Sequence, residues 1–142
     1  MIIPISQAYA HGLGIDTTTP LNYEERKILI SVEMVPMYFD ESQDKKIRVY
    51  AYDKMTEESI SNVTFLLNIY KNNEKIFQDS LFSSNGELLI DVEKYDYLTP
   101  YFKSGGLYHY EIDITSLGGS DDAVDYLSGY TADVSVVDTT YH

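Results

Sequence analysis

Cysteine and tryptophan are absent from this 142-residue chain, and cations are scarce: 10 Lys+Arg stand against 23 Asp+Glu, a formal net charge of −13. Each shortage excludes something. Without cysteine there is no disulfide, zinc ribbon, thiolate nucleophile or iron–sulfur cluster. With so few cations the chain cannot displace counterions along a phosphate backbone, so nucleic acid is excluded as a partner. No stretch approaches the roughly 20 apolar residues of a membrane-spanning helix, so no membrane insertion is expected within this segment. There is no glycine-rich phosphate cradle and no G-x-S-x-G elbow. Tyrosine is what the chain has in abundance, with 14 residues. The length suits one acidic, soluble domain with a core large enough to do without staples.

The apolar pattern alternates with period two, the signature of strands with one buried face. Seven rows stand out. They are Ile28, Ile30, Val32, Met34; Ile47, Val49, Ala51; and Val63, Phe65, Leu67, Ile69. Then come Phe77, Asp79, Leu81, with Ile76 and Phe82 on the opposite side; Leu88, Ile90, Val92; Tyr108, Tyr110, Ile112, Ile114; and Tyr130, Ala132, Val134, Val136. Asn72-Asn73 and Ser83-Ser84-Asn85-Gly86 read as hairpin turns, because Asn and Gly tolerate positive φ. Asp40 to Asp44 reads as a polar turn, and Asp121 to Leu127 makes at most one helical turn. Tyr95 to Ser104 lacks alternation and reads as a long loop or sheet-crossing connection. About seven short strands without helices predict an all-β, antiparallel, immunoglobulin-like β-sandwich.

The first ten residues are apolar and end in Ala8-Tyr9-Ala10, the small-x-small pattern that signal peptidase requires. They are too short for a whole leader. Residues 1–10 are therefore expected to be the remnant of a signal peptide, with residues 11–142 a single sandwich domain that begins at His11. This places the protein outside the cell.

Two stretches carry a resemblance. Asp53-Lys54-Met55-Thr56 through Ile60 to Val63-Thr64-Phe65, and Phe82 through Gly86 to Leu88-Leu89-Ile90, resemble strand openings and a hairpin of prealbumin-like and immunoglobulin-like surface modules. His11-Gly12-Leu13-Gly14, Asn62-Val63-Thr64-Phe65, Gly105-Gly106-Leu107-Tyr108 and Thr139-Thr140-Tyr141-His142 resemble the N-terminal module of large secreted cell-surface proteins of ammonia-oxidising archaea. The resemblance implies an extracytoplasmic sandwich and brings no activity with it.

Candidate chemistry is sparse. Cleavage after Ala10 would give His11 a free amine beside its ring, a chelate that suits copper once a second imidazole is added. His109 and His142 are the other histidines, and His109 lies in the outward row with Glu111 and Asp113, where it is expected to be exposed and neutral. The metal candidates are therefore His11 and His109, with copper the possible cofactor. Met34 and Met37 form an M-x-x-M pair that reads better as core packing. Asp40 to Asp44, and Asp121, Asp122 and Asp125, could offer oxygens to Ca²⁺, yet neither has EF-hand spacing. Asn62-Val63-Thr64 is the one N-glycosylation sequon. Tyr95, Tyr97, Tyr101 and Phe102 read either as a sticky aromatic patch or as the closure of one sandwich end.

No catalytic triad or selectable acid–base pair emerges. The expected function is a non-enzymatic structural or interaction module of a cell-envelope protein, acting in adhesion, spacing or assembly. Its partners would be envelope proteins or copies of itself. The alternative is a small extracytoplasmic copper-binding domain built on His11.

Overall fold

The computed structural model describes residues 13–39 and 44–138. It is all-β, with two five-stranded sheets. Among the described residues there are ten strands rather than seven. The seven expected rows are the long ones: β3 (Arg26–Val35), β5 (Lys46–Asp53), β6 (Val63–Lys71), β7 (Glu74–Ser83), β8 (Glu87–Asp91), β9 (Gly106–Leu117) and β10 (Tyr130–Asp138). The additions are β1 (Ile15–Thr17), β2 (Leu21–Tyr23) and β4 (Tyr38–Phe39). These were invisible to periodicity because two or three residues are too few to show alternation.

The first sheet is ordered β1-β3-β5-β8, with β2 also on β3; the second is β4-β10-β9-β6-β7. The long strands thus follow an immunoglobulin-like Greek key in which the fourth, β7, stays beside the third. All pairs are antiparallel except β4 on β10, which is parallel. The chain reaches β4 by crossing between the sheets at Pro36, whose preceding peptide bond is cis.

The core follows directly from the alternation. Ile28, Ile30, Val32 and Met34 face Val63, Phe65, Leu67 and Ile69 across the two layers, and all eight are fully buried. Tyr108, Tyr110, Ile112 and Ile114 line the same interior. One row departs from expectation. Ile69 pairs with Phe77 and Tyr70 with Lys75, so a bulge leaves Ile76 as the extra residue of β7. Ile76 and Phe77 are consequently both buried, while Phe82 stays on the outer face, mostly exposed.

Turn chemistry is borne out in one place and corrected in another. Asn72 and Asn73 both take positive φ and close the β6–β7 hairpin. Ser83 to Gly86, expected as a hairpin, instead carries the chain between sheets, since β7 pairs with β6 and β8 with β5. Gly86 is required there: its φ is +86°, and a Cβ would sit 2.3 Å from the Ile60 carbonyl oxygen.

The irregular stretch after β8 is the sheet-crossing connection that its lack of alternation predicts. Two 3-10 turns, Val92–Lys94 and Thr99–Phe102, carry it from the first sheet to the second. Phe102 is buried and stacks on Tyr108 with centroids 4.9 Å apart. The Tyr108 hydroxyl donates to the Tyr101 carbonyl at 2.7 Å, the tyrosine corner of immunoglobulin-like sandwiches. Lys71, itself buried, donates to the same carbonyl at 2.7 Å and to that of Ser104 at 3.0 Å. Tyr101 and Phe102 therefore close this end of the sandwich.

The two seams between the sheets differ. On one side Leu13 to Asp16 stitches them together. Gly14 N–H donates to the Ser135 carbonyl of β10, and its own carbonyl accepts from Met34 N–H of β3. A carboxylate oxygen of Asp16 accepts from Asp133 N–H at 2.8 Å, and β4 covers Val137 and Asp138. On the other side β7 and β8 are each the outermost strand of their sheet, and among the described residues no strand joins them.

Candidate interaction surfaces

Of the two metal candidates, His11 lies outside the described residues, as do residues 1–10 and His142. His109 sits on the outer face of the second sheet, in a register row that runs Asp133, His109, Tyr70, Lys75 across β10, β9, β6 and β7. Its Nδ1 lies 2.7 Å from Asp133 Oδ1, and its Nε2 lies 3.4 Å from Glu111 Oε2. Tyr70 flanks the ring at 5.8 Å, and Lys75 lies over the Tyr70 ring at 5.9 Å.

The imidazole is one-third exposed rather than fully exposed. Desolvation alone would lower its pKa, but the hydrogen bond and charge of Asp133, followed by those of Glu111, together raise it. Both ring nitrogens are thus directed at carboxylates, an arrangement that favours the imidazolium over a metal-ligating neutral ring. Among the described residues no group of three or more His, Asp or Glu side chains is arranged to hold a metal ion. Met34 is buried, with its sulfur accepting from the Tyr110 hydroxyl, whereas Met37 is exposed. Core packing holds for Met34 and not for Met37.

The acidic clusters divide similarly. Residues 40–43 lie outside the described residues. Asp121–Asp125 forms the single helical turn expected, a 3-10 turn whose Ser120 hydroxyl accepts from Asp122 N–H. Asp122 and Asp125 join Glu24, Tyr23 and Tyr126 around an open cleft of about 510 Å³. Glu24 arrives there from the β2–β3 turn, which the sequence reading did not bring into the cluster. Asn62 is exposed, with φ of +53°, in the turn that leads into β6.

The aromatic segment is split by the structure. Tyr101 and Phe102 close the sandwich end, whereas Tyr95 and Tyr97 run outward along the open seam. Phe77, Tyr95 and Tyr97 form a chain of edge-on ring contacts, with centroids 5.5 Å and then 5.9 Å apart. The chain starts in the core and ends at Tyr97, which is 57 % exposed. Desolvation, then the neighbouring Tyr95 and the Asp79 carboxylate, raise the Tyr97 pKa.

Asp79 itself occupies the inward register of β7, opposite the fully buried Leu67, yet it is exposed. Its charge was visible in the sequence as the one acid inside an apolar row. That is a recognised mark of an edge strand, and reading it so would have placed β7 at the border of its sheet.

Comparison with family models, with curated proteins and with solved structures gives no match. The all-β sandwich and the open edge of β7 rest on the sequence pattern and the geometry alone. No helix among the described residues is long and apolar enough to cross a membrane.

Proposed function

We propose that this domain is a non-enzymatic structural and interaction module, exported and held at the cell surface as part of the envelope. The observation that carries the reading is the unequal treatment of the sandwich borders. One seam is stitched by Leu13 to Asp16, while the ten-residue β7 is left as the outermost strand beside an exposed ring and carboxylate. Asp79 in the inward row and the bulge at Ile76 blunt this edge against copies of the chain, while its length leaves main-chain groups for a strand of another protein. The Ala8-Tyr9-Ala10 pattern and the resemblance to archaeal surface modules support export. The net charge of −13 suits a module that stays dispersed among like neighbours.

Surface biotinylation of intact source cells, followed by fractionation and detection with an antibody against the domain, tests this. Labelled protein in the envelope fraction is the expected result. Unlabelled protein confined to the cytosolic fraction overturns it.

A further inference from the structure

The open border of β7 has a definite chemistry, and it rests on the interaction-module reading above. β7 is ten residues long and has β6 as its one sheet neighbour among the described residues. The other outermost strands are half that length or less: β8 has five residues, β1 and β2 three each, and β4 two. On its inward side β7 presents Phe77, Asp79 and Leu81 in alternation. Phe77 is buried, Leu81 is half-buried against the core, and Asp79 between them is exposed. The Asp79 carboxylate accepts from the N–H of its neighbour Ser80 at 2.8 Å, a local bond that leaves room for further donors. Tyr97 ends the ring chain that begins at Phe77, two residues along β7 from Asp79. On the outward side Phe82 is 62 % exposed.

A second copy of the chain fits this edge poorly. Antiparallel self-pairing with matched faces sets like-parity residues opposite one another. Centred on residue 79, it places Asp79 against Asp79. Centred on residue 78 or 80, it places the carboxylate against Phe77 or Leu81. Each register leaves the charge repelled or unpaired, and a chain of net charge −13 repels its own copies besides.

We propose that β7 receives an extended segment of a different protein. The segment adds as a strand, with a Lys or Arg side chain over Asp79 and Tyr97 and apolar side chains at the flanking inward positions over Phe77 and Leu81. Main-chain hydrogen bonds along the edge supply affinity, and the alternate side chains supply selection. The carboxylate pairs with the cation, and the Tyr97 ring adds a cation–π face. Self-association is suppressed by the same residue that selects the partner.

The test uses the ¹⁵N-labelled protein and a synthetic heptapeptide, Thr-Val-Thr-Lys-Thr-Val-Thr. Its apolar-x-Lys-x-apolar pattern reads alike in both strand directions. A second peptide carries Glu in place of Lys. The expected result is amide shifts along residues 74–83, with the Lys peptide favoured about tenfold and the preference inverted in Asp79→Lys. Asp79 is exposed, and circular dichroism checks that the variant retains its fold. The proposal is overturned by the absence of shifts at millimolar peptide, by shifts centred on the Glu24–Asp122–Asp125 cleft, or by a preference that ignores residue 79. A surface-exposed protein that fails this titration loses the β7 edge as its docking site and keeps the module reading.

Discussion

The hydroxyl of Tyr108 donates to the carbonyl of Tyr101 at 2.7 Å, seven residues back along the chain. That bond fixes the connection that carries the chain from one sheet to the other, and the ammonium of Lys71 reinforces it from beneath the same carbonyl. The Lys71 nitrogen lies 5.1 Å from the Tyr108 ring centroid, so ring, ammonium and carbonyls form one buried polar knot. Tyr108→Phe removes the donor while Lys71 still serves the carbonyl. The expected cost is about 1–2 kcal/mol of unfolding free energy, read as a lower urea midpoint at unchanged slope. A loss indistinguishable from zero would show that Lys71 suffices alone.

Burial raises the ionisation of three phenols well above the ordinary tyrosine value: Tyr108, Tyr110 and Tyr130. In the unfolded chain these groups ionise near pH 10. The sign follows. The neutral phenol is favoured in the fold, so the stabilisation is complete below pH 10 and is lost as pH rises above it. In an alkaline titration followed by phenolate absorbance, these three are expected to ionise only together with the loss of near-ultraviolet circular dichroism.

His109 follows the same sign in a lower pH range. Its folded pKa is raised, so its contribution is present below the unfolded value near 6.5 and disappears as pH rises through the folded value. Because the pair is partly exposed, the contribution is under about 1 kcal/mol. The measurement is the imidazole titration by NMR. Asp133→Asn is expected to lower the pKa clearly, and Glu111→Gln less. A larger effect from Glu111 would contradict the geometry, in which Asp133 is closer at 2.7 Å against 3.4 Å.

Two glycines with the same φ separate strain from collision. Gly86 and Gly119 both have φ of +86°, but a Cβ at Gly86 meets the Ile60 carbonyl oxygen at 2.3 Å, while at Gly119 it meets nothing within 4 Å. Gly119→Ala is expected to cost about 1 kcal/mol, the left-handed penalty alone. Gly86→Ala is expected to cost about 3 kcal/mol, because backbone must also shift. Equal losses in chemical denaturation would refute the steric account.

The fold was legible because alternation is a local property. Ile28 to Met34 and Val63 to Ile69 announce their buried faces whatever strand lies beside them. The three short strands, the Ile76 bulge and the switch of sheets at Gly86 were not legible, since each depends on a neighbour distant in sequence. The site was legible only in pieces. His109 and Glu111 share a strand and were read together. Asp133, the closer partner, lies 24 residues away and enters only through the β9–β10 register. Tyr97 and Asp79 were both in view, one in an aromatic run and one in an apolar row, without a reason to join them.

By itself the sequence determined the strand faces, the acidic surface and the exclusion of thiol chemistry, because each follows from residue identity and the two-residue repeat of an extended chain. Tertiary structure alone decided which strands are neighbours, and with that which border is stitched and which stays open. Pairing is settled by contacts between remote segments, such as the Tyr130 hydroxyl reaching the Ile28 carbonyl across 102 residues, and no local pattern encodes them.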